Sequence, residues 1–271
     1  MSVSILRVPT PVVSLVFGCL WMSEALCRCR LVCRQWSQVR VATKLLSLVD
    51  LSVPVPVLLG AVLPHQVCHL ELPSNFVDTA SLAQLTAVRS LSRFEKHQGK
   101  LLRMAKIAGL WPGLEVLHLT WLGERERDLS WVRQLSCLVG LSLICCPITN
   151  LSALASLALR SLDLSAALLF KAQILSLGQL TTLESLALKA VAEVDDDVLR
   201  SLLNLVRLRV LDLSYLPRIT DKGVGSLEGL PSLEELDLTC TNIEITRFTL
   251  TRLAGLLIHT DSCPPLEPIP R

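Results

Sequence analysis

Several side chains that could bind a metal lie close together in this sequence. Two groups stand out, and their members are Cys27, Cys29 and Cys33, then His65, Cys68 and His69. Neither group has the paired C-x2-C spacing or the second cluster at a fixed distance that tetrahedral zinc sites use. Small thiols also pack well in apolar cores. We therefore expect these cysteines to be core residues, and we expect no metal or other cofactor.

Two further groups could belong to an enzyme. Residues 223–229, GVGSLEG, are rich in glycine, but their spacing differs from that of a phosphate-binding loop. His118 and Asp163 could form an acid–base pair only if their strands lie close together. The chain contains no GxSxG, HExxH or P-loop signature. The sequence therefore predicts a binding protein and not an enzyme.

A leucine hexad organises the rest of the chain. Residues 208–213 read LRVLDL, and residues 233–238 repeat the pattern as LEELDL. The last two leucines of LxxLxL lie two apart, on one face of a short strand. A single unit buries almost no apolar surface, so its copies must stack to form a core. The repeat predicts an α/β leucine-rich-repeat solenoid, a horseshoe with strands on the concave side and helices on the convex side.

Ten copies of the hexad can be placed along the chain, 20 to 26 residues apart. Their middle positions are Val49, Leu70, Leu91, Leu117, Leu141, Leu162, Leu186, Leu211, Leu236 and Leu256. Residues 101–110 are expected to form a convex helix. The acidic residues 195–197 suit the first turn of another helix, and Thr220 or Asp221 can cap the next.

The amino-acid composition excludes two classes of binding partner. The chain has 271 residues, a net charge of +2 and a mean hydropathy of +0.52. The leucine ladder accounts for this hydropathy, and no apolar run is long enough for a spanning helix. A net charge so close to zero gives no sign of nucleic-acid binding. We therefore expect neither a membrane nor a nucleic acid as partner.

The N-terminal stretch is predicted to be a separate module. Residues 1–50 carry six Lys/Arg side chains against only Glu24 and Asp50. Apolar residues from Val12 to Leu20 and from Leu26 to Trp36 follow helical spacing. Two helices this short cannot stand alone, so they must pack on the first repeat or on a partner.

At these residues the sequence resembles an F-box, above all in the LVCRQW of residues 31–36. The positions that match the pattern of the family are Pro9, Val12, Val16, Phe17, Leu20, Leu26, Val32, Cys33, Arg34 and Trp36. The LDLS strands and Cys240 resemble the cysteine-containing class of leucine-rich repeats, which is common in F-box proteins. The resemblance implies a substrate-recognition subunit of a Skp/cullin/F-box ubiquitin ligase. In such a protein the N-terminal residues bind the Skp adaptor, which joins cullin, and the repeats bind a protein target.

The expected organisation has three parts. Residues 8–44 form the F-box-like module, residues 45–258 form the repeats, and residues 259–271 form a proline-rich tail. Side chains between the core leucines point to the concave face, which is polar and carries more acidic than basic residues. The residues predicted to bind the target on this face are His118, Asp163, Lys189, Asp212, Glu235 and Asp237.

Two other interpretations are open. In the first, the protein is a leucine-rich-repeat scaffold with no ligase link, and residues 9–36 only cap the hydrophobic end of the repeats. In the second, Arg7, the apolar stretch after it and Ala25 form a secretory signal peptide, and Asn150 is a glycosylation acceptor. The irregular placement of the ten cysteines favours a reducing compartment, cytoplasmic or nuclear.

Three tryptophans flank or precede the charged turn at residues 123–128. They are Trp111, Trp121 and Trp131. Aromatic side chains near loops can belong to interfaces, but in a stacked fold they more often fill the gap between coils. We therefore expect these tryptophans to be packing residues.

Overall fold

The computed structural model describes residues 45–47, 67–73, 82–94, 108–120, 128–241, 243 and 255–260. The chain divides into two compact units, Met1–Val116 and Leu117–Arg271. The predicted module at residues 8–44 lies outside the described residues, as do residues 121–127 and 261–271.

The described residues of the first unit that precede Val116 contain three parallel strands. They are β1 Leu45–Ser47, β2 His69–Pro73 and β3 Ser90–Phe94. The register aligns Leu46 with Leu70 and Leu70 with Leu91. The predicted positions Leu70 and Leu91 are confirmed, but the first copy is centred on Leu46 and not on Val49. The sequence LLSLVDL alternates over two possible registers, and only the pairing with β2 selects one.

A fourth strand, β4 Val116–Thr120, begins at the last residue of the first unit. Six further strands follow it in the second unit. They are β5 Gly140–Ile144, β6 Ser161–Asp163, β7 Ser185–Ala187, β8 Val210–Asp212, β9 Glu235–Asp237 and β10 Leu257–His259. Each strand from β5 to β9 pairs in parallel with the next one in chain order.

The core of the second unit is a column of leucines. Leu141, Leu162, Leu186, Leu211 and Leu236 are aligned by the strand register, and each is at most 2% exposed. The predicted period is therefore confirmed over these copies. The last copy is centred on Ile258, which pairs with Leu236, and not on the predicted Leu256. The run LLI at residues 256–258 does not alternate, so sequence alone could not fix its register.

Short helical segments connect the strands of the second unit. Where this unit is described, three of the segments contain α-helix, namely α1 Lys171–Leu175, α2 Asp196–Ser201 and α3 Asp221–Ser226. The 3-10 segments are Leu129–Gln134, Ser152–Ser156, Ser176–Gln179, Leu202–Asn204 and Leu227–Gly229. In the part of the chain described, none of the helices has the length and apolar character needed to cross a bilayer.

The predicted helix starts are confirmed in α2 and α3. Asp195 caps α2 by accepting hydrogen bonds from the backbone N–H groups of Asp197 and Val198. Thr220 caps α3 through the N–H of Lys222. Both side chains satisfy amide groups that a helix start leaves unpaired.

Two of the three tryptophans are packing residues, as expected. Trp111 is 3% exposed and donates from Nε1 to the backbone oxygen of Leu85, 2.7 Å away, within the first unit. Trp131 is 6% exposed and lies in the second unit. Trp121 lies outside the described residues.

Neighbouring repeats approach closely at two glycines. A Cβ on Gly178 would overlap the backbone oxygen of Ser201, and one on Gly223 would overlap the carboxylate of Asp196. That carboxylate accepts two hydrogen bonds from Thr220, at 2.8 Å from its N–H and 2.6 Å from its hydroxyl. GVGSLEG is therefore helical, and its Gly223 makes room for a contact between repeats.

An ion-pair network joins α1 to α2. Lys171 Nζ lies 2.5 Å from Asp195 Oδ2 and 2.7 Å from Asp197 Oδ2. The hydrogen bonds to Asp195 and Asp197 raise the pKa of Lys171. Burial opposes ionisation of Asp195, but the hydrogen bonds from Lys171 and from the N–H of Val198 lower its pKa overall. The contribution of this carboxylate to stability is present above its unfolded pKa and is lost as the pH falls through the lowered pKa.

Candidate partner-binding surface

The residues of β5 to β10 that alternate with the core leucines form two aligned columns, and together these columns make up what we call the outward face of the sheet. One column holds Ser142, Asp163, Ala187, Asp212, Asp237 and His259. The other holds Gly140, Ser161, Ser185, Val210, Glu235 and Leu257. Parallel strands lie about 4.8 Å apart, so consecutive members of a column are neighbours. The structure thus places Asp163, Asp212 and Asp237 in one column, with Glu235 in the adjacent one.

Each of these three aspartates binds the turn that ends its own strand. Asp163 Oδ1 accepts from the N–H and the hydroxyl of Ser165, at 2.9 and 2.6 Å. Asp212 Oδ1 accepts from the same two groups of Ser214, at 2.9 and 2.6 Å. Asp237 Oδ1 accepts from the N–H of Thr239 at 2.8 Å. Such bonds from a side chain to the backbone two residues later are typical of Asx turns.

In five repeats, the residue three positions after the first column's residue has a left-handed backbone conformation. These residues are Cys145, Ala166, Ala190, Tyr215 and Cys240, with φ between 53° and 61°. The left-handed conformation costs a residue with a side chain roughly 1–2 kcal/mol. Three of the five turns have a column aspartate that stabilises the turn. The sequence predicted only a binding role for these aspartates, and not this structural one.

The second carboxylate oxygens differ in their partners. Asp163 Oδ2 accepts from the hydroxyl of Ser142 at 3.1 Å. No donor among the described residues reaches the second oxygen of Asp212 or of Asp237. These two carboxylates are half-buried, held by one oxygen, and able to present the other to a ligand.

The serines beside the aspartates are buried. Ser142 is 4% exposed and Ser214 is 1% exposed, although Ser142 lies between two core leucines and was therefore predicted to point to the concave face. The hydroxyl of each serine donates a hydrogen bond to an aspartate, and this bond offsets the free-energy cost of burying the hydroxyl. They help to hold the carboxylates and are not themselves available to a partner.

Lys189, Glu235 and His118 occupy different surroundings. Lys189 Nζ lies 4.9 Å from the centroid of the Tyr215 ring, within the range of a cation–π contact. Glu235 Oε1 lies 3.3 Å from His259 Nε2. His118 is exposed on β4, and β5 lies between it and the β6 residue Asp163. Two strand spacings separate these two residues by about 10 Å, too far for direct proton transfer.

An exposed apolar group lies next to the strand ends and was missed in the sequence. Leu168 is 71% exposed and Phe170 is 75% exposed. They flank a hollow of about 300 Å³ whose lining includes Ala166, Ala190 and Glu193. The signal in the sequence was the run LLF at residues 168–170, because three successive apolar side chains in an extended segment cannot all face one core.

The predicted adaptor-binding residues lie outside the described residues. They are Pro9, Val12, Val16, Phe17, Leu20, Leu26, Val32, Cys33 and Trp36. Within the described ranges, no three His, Cys, Asp or Glu side chains converge to hold a metal ion. The five cysteines of those ranges, which include the adjacent pair Cys145 and Cys146, are thiols and not disulfides.

Comparison with known proteins shows the fold. No protein-family model matches the chain, and no curated protein does. Among solved structures, an internalin (InlF) from Listeria monocytogenes matches 85% of this chain and 69% of its own, with 19% identity and a TM-score of 0.53. TLR13 in its complex with ssRNA13 matches with 23% identity and a TM-score of 0.59. That match covers 82% of this chain but only 33% of TLR13. With the parallel strands described above, these matches give the chain the α/β leucine-rich-repeat solenoid fold.

Proposed function

We propose that this chain is a leucine-rich-repeat scaffold that binds a protein partner on the outward face of the β5–β10 sheet. The observation that supports the proposal is the aligned pair Asp212 and Asp237. Each carboxylate is held by its turn through one oxygen and leaves the other oxygen without a described donor. A side chain already fixed in place loses little conformational entropy when a partner binds.

The charge of this face favours a basic segment of the partner. Asp212, Asp237 and Glu235 lie on two adjacent strands, well within one Debye length of about 8 Å. Lys189, in the turn after β7, offsets only part of this charge. A nucleic acid would bring phosphates against these carboxylates, so we favour a protein ligand. Attraction of this kind speeds association more than it deepens affinity.

Removing the charge while keeping the turn tests this proposal. In the double variant Asp212→Asn and Asp237→Asn, each amide oxygen can still accept from Ser214 or Thr239. We expect the partner captured by the wild-type chain to associate several-fold more slowly at low salt, and the difference to vanish at high salt. Surface plasmon resonance measures the association rate at low salt and at high salt.

A matched control removes two charges elsewhere in the same unit. Asp197→Asn with Glu228→Gln changes the net charge equally, on α2 and the 3-10 segment after α3. This control should leave the association rate unchanged. Equal rates for the wild type and the Asp212/Asp237 variant at low salt would contradict the proposal.

A finer proposal adds the ubiquitin-ligase role. Its support is the resemblance of residues 9–36 to an F-box, with LVCRQW as the most specific part. In this proposal Val16, Phe17, Leu20 and Trp36 bind the Skp adaptor, cullin joins through that adaptor, and the repeats hold the target. The chain would make no covalent bond, and it would raise the effective concentration of target lysines near a conjugating enzyme. It would then act in the cytoplasm or nucleus, with residues 8–44 as the adaptor-binding module.

A further inference from the structure

Two large apolar side chains are exposed together beside the turns that follow β6 and β7. Leu168 is 71% exposed and Phe170 is 75% exposed, so neither contributes its full area to the core. Between them, Leu169 is 7% exposed and anchors the segment. Single exposed apolar residues are common on protein surfaces, whereas two that line one hollow form a contiguous apolar surface, and contiguous apolar surface is a feature of interaction sites. We call Leu168 and Phe170 the apolar ledge.

Small residues create the hollow next to the ledge. Ala166 and Ala190 occupy the same left-handed position in successive turns, with φ of 53° and 55°. Both line the hollow of about 300 Å³, and the next repeat has the much larger Tyr215 at this position. The smallest pockets that hold small-molecule ligands have about this volume, so the hollow is large enough to admit one side chain.

The charges around the hollow restrict its occupant. Glu193 lines it, and one oxygen of its carboxylate forms an ion pair of 3.3 Å with Arg218. The rest of the lining consists of alanine, leucine and phenylalanine side chains. An apolar group can therefore enter while Glu193 keeps its contact with Arg218, whereas a charged group would lose water against a lining that is mostly apolar.

The hollow also lies within reach of the free carboxylate oxygens. Ala190 follows the column position Ala187 by three residues, and Asp212 is the neighbour of Ala187 on β8. At about 3.3 Å per residue along a strand and 4.8 Å between strands, the hollow lies roughly 10–15 Å from Asp212. An extended peptide covers this distance in three to five residues.

We propose that the hollow binds a large apolar side chain of the protein partner, and that a lysine or arginine three to five residues away binds Asp212 and Asp237. The ligand is thus an extended segment that combines one leucine, methionine or phenylalanine with one basic residue. This inference rests on the proposed function, and it adds the sequence chemistry of the partner. Positive charge on that segment complements the carboxylates, and the ledge covers its apolar side chain.

Selection of a random-peptide phage library against the full chain tests the proposal and does not require an identified partner. The expected consensus has a large apolar residue separated from a basic residue by two to four others. A labelled peptide with that consensus should bind with a dissociation constant measurable by fluorescence anisotropy. The variant Leu168→Ser with Phe170→Ser should weaken this binding at least tenfold.

The control variant is Val206→Ser, because Val206 is 51% exposed in the turn that leads to β8 and lies away from the ledge. It should bind as the wild type does. This control and the ledge variant should melt within a few degrees of the wild type, because Val206, Leu168 and Phe170 are exposed. A consensus without a basic residue, or unchanged binding by the ledge variant, would overturn the inference. If only the Asp212/Asp237 variant weakens binding, the ledge assignment fails and the proposed function stands. If neither variant weakens it, both are wrong.

Discussion

Gly178→Ala is expected to lower the free energy of unfolding by about 3 kcal/mol, at the upper end of the usual cost of overpacking. The new Cβ would overlap the backbone oxygen of Ser201, which belongs to the next repeat. A side chain can often rotate away from such an overlap, but a carbonyl oxygen moves only with its helix. Chemical denaturation of the full chain, followed by circular dichroism, measures the change.

Gly229→Ala is the matched control for this substitution. Gly229 also lies in a 3-10 segment, and its added Cβ would meet only the flexible side chain of Leu203, at 3.4 Å. We expect a change within about 0.5 kcal/mol, because the loss of backbone freedom in the unfolded chain offsets the small displacement. Equal destabilisation by the two substitutions would mean that the repeats do not approach each other closely at Gly178.

Deletion of residues 1–40 is the second change with a large expected effect. It should abolish co-purification of the Skp adaptor, because it removes Val16, Phe17, Leu20 and Trp36 together. It should leave the repeats folded, since β1 begins at Leu45. Affinity purification with detection of the adaptor and of cullin measures the first effect, and circular dichroism measures the second. If the adaptor still binds, or never binds the intact chain, the scaffold without a ligase link is the better account.

The strands of the second unit could be predicted from the sequence because their leucines alternate cleanly. From Leu141 to Leu236 every predicted middle leucine lies in the core column. The prediction of strand centres failed where apolar and polar residues do not alternate cleanly. Near Leu46 the apolar residues are compatible with two strand registers. Near Ile258 three successive apolar residues show no alternation, so they indicate no register. Only pairing with the neighbouring strand could choose between them.

The candidate site was predicted in part. Period-two alternation correctly placed Asp163, Asp212 and Asp237 on the outward face, because that inference needs only the strand and its core leucines. It could not reveal that each aspartate binds the amide two residues later, since the bond depends on how the strand ends. Asn therefore tests charge at these positions better than Lys, which would remove the turn contact along with the charge.

The exposure of the apolar ledge could not be predicted from the sequence, for a different reason. Apolar residues in a leucine-rich chain are taken as core by default, and Leu168, Leu169 and Phe170 are equally apolar. Only Leu169 is buried. The backbone turn after Ala166 decides which of the three faces inward, and nothing in the residue types indicates that turn because its left-handed residue is an alanine and not a glycine.

The central claim is that a protein partner binds the outward face of the β5–β10 sheet. Site-specific photo-cross-linking in cells tests it most directly, with a photoreactive residue at Val210 in one variant and at Val206 in another. Val210 is 36% exposed on the outward face beside Glu235, and Val206 is 51% exposed in the turn before that strand. The account predicts a discrete cross-linked protein from position 210 and none from position 206. Cross-linking from position 206 alone would contradict it.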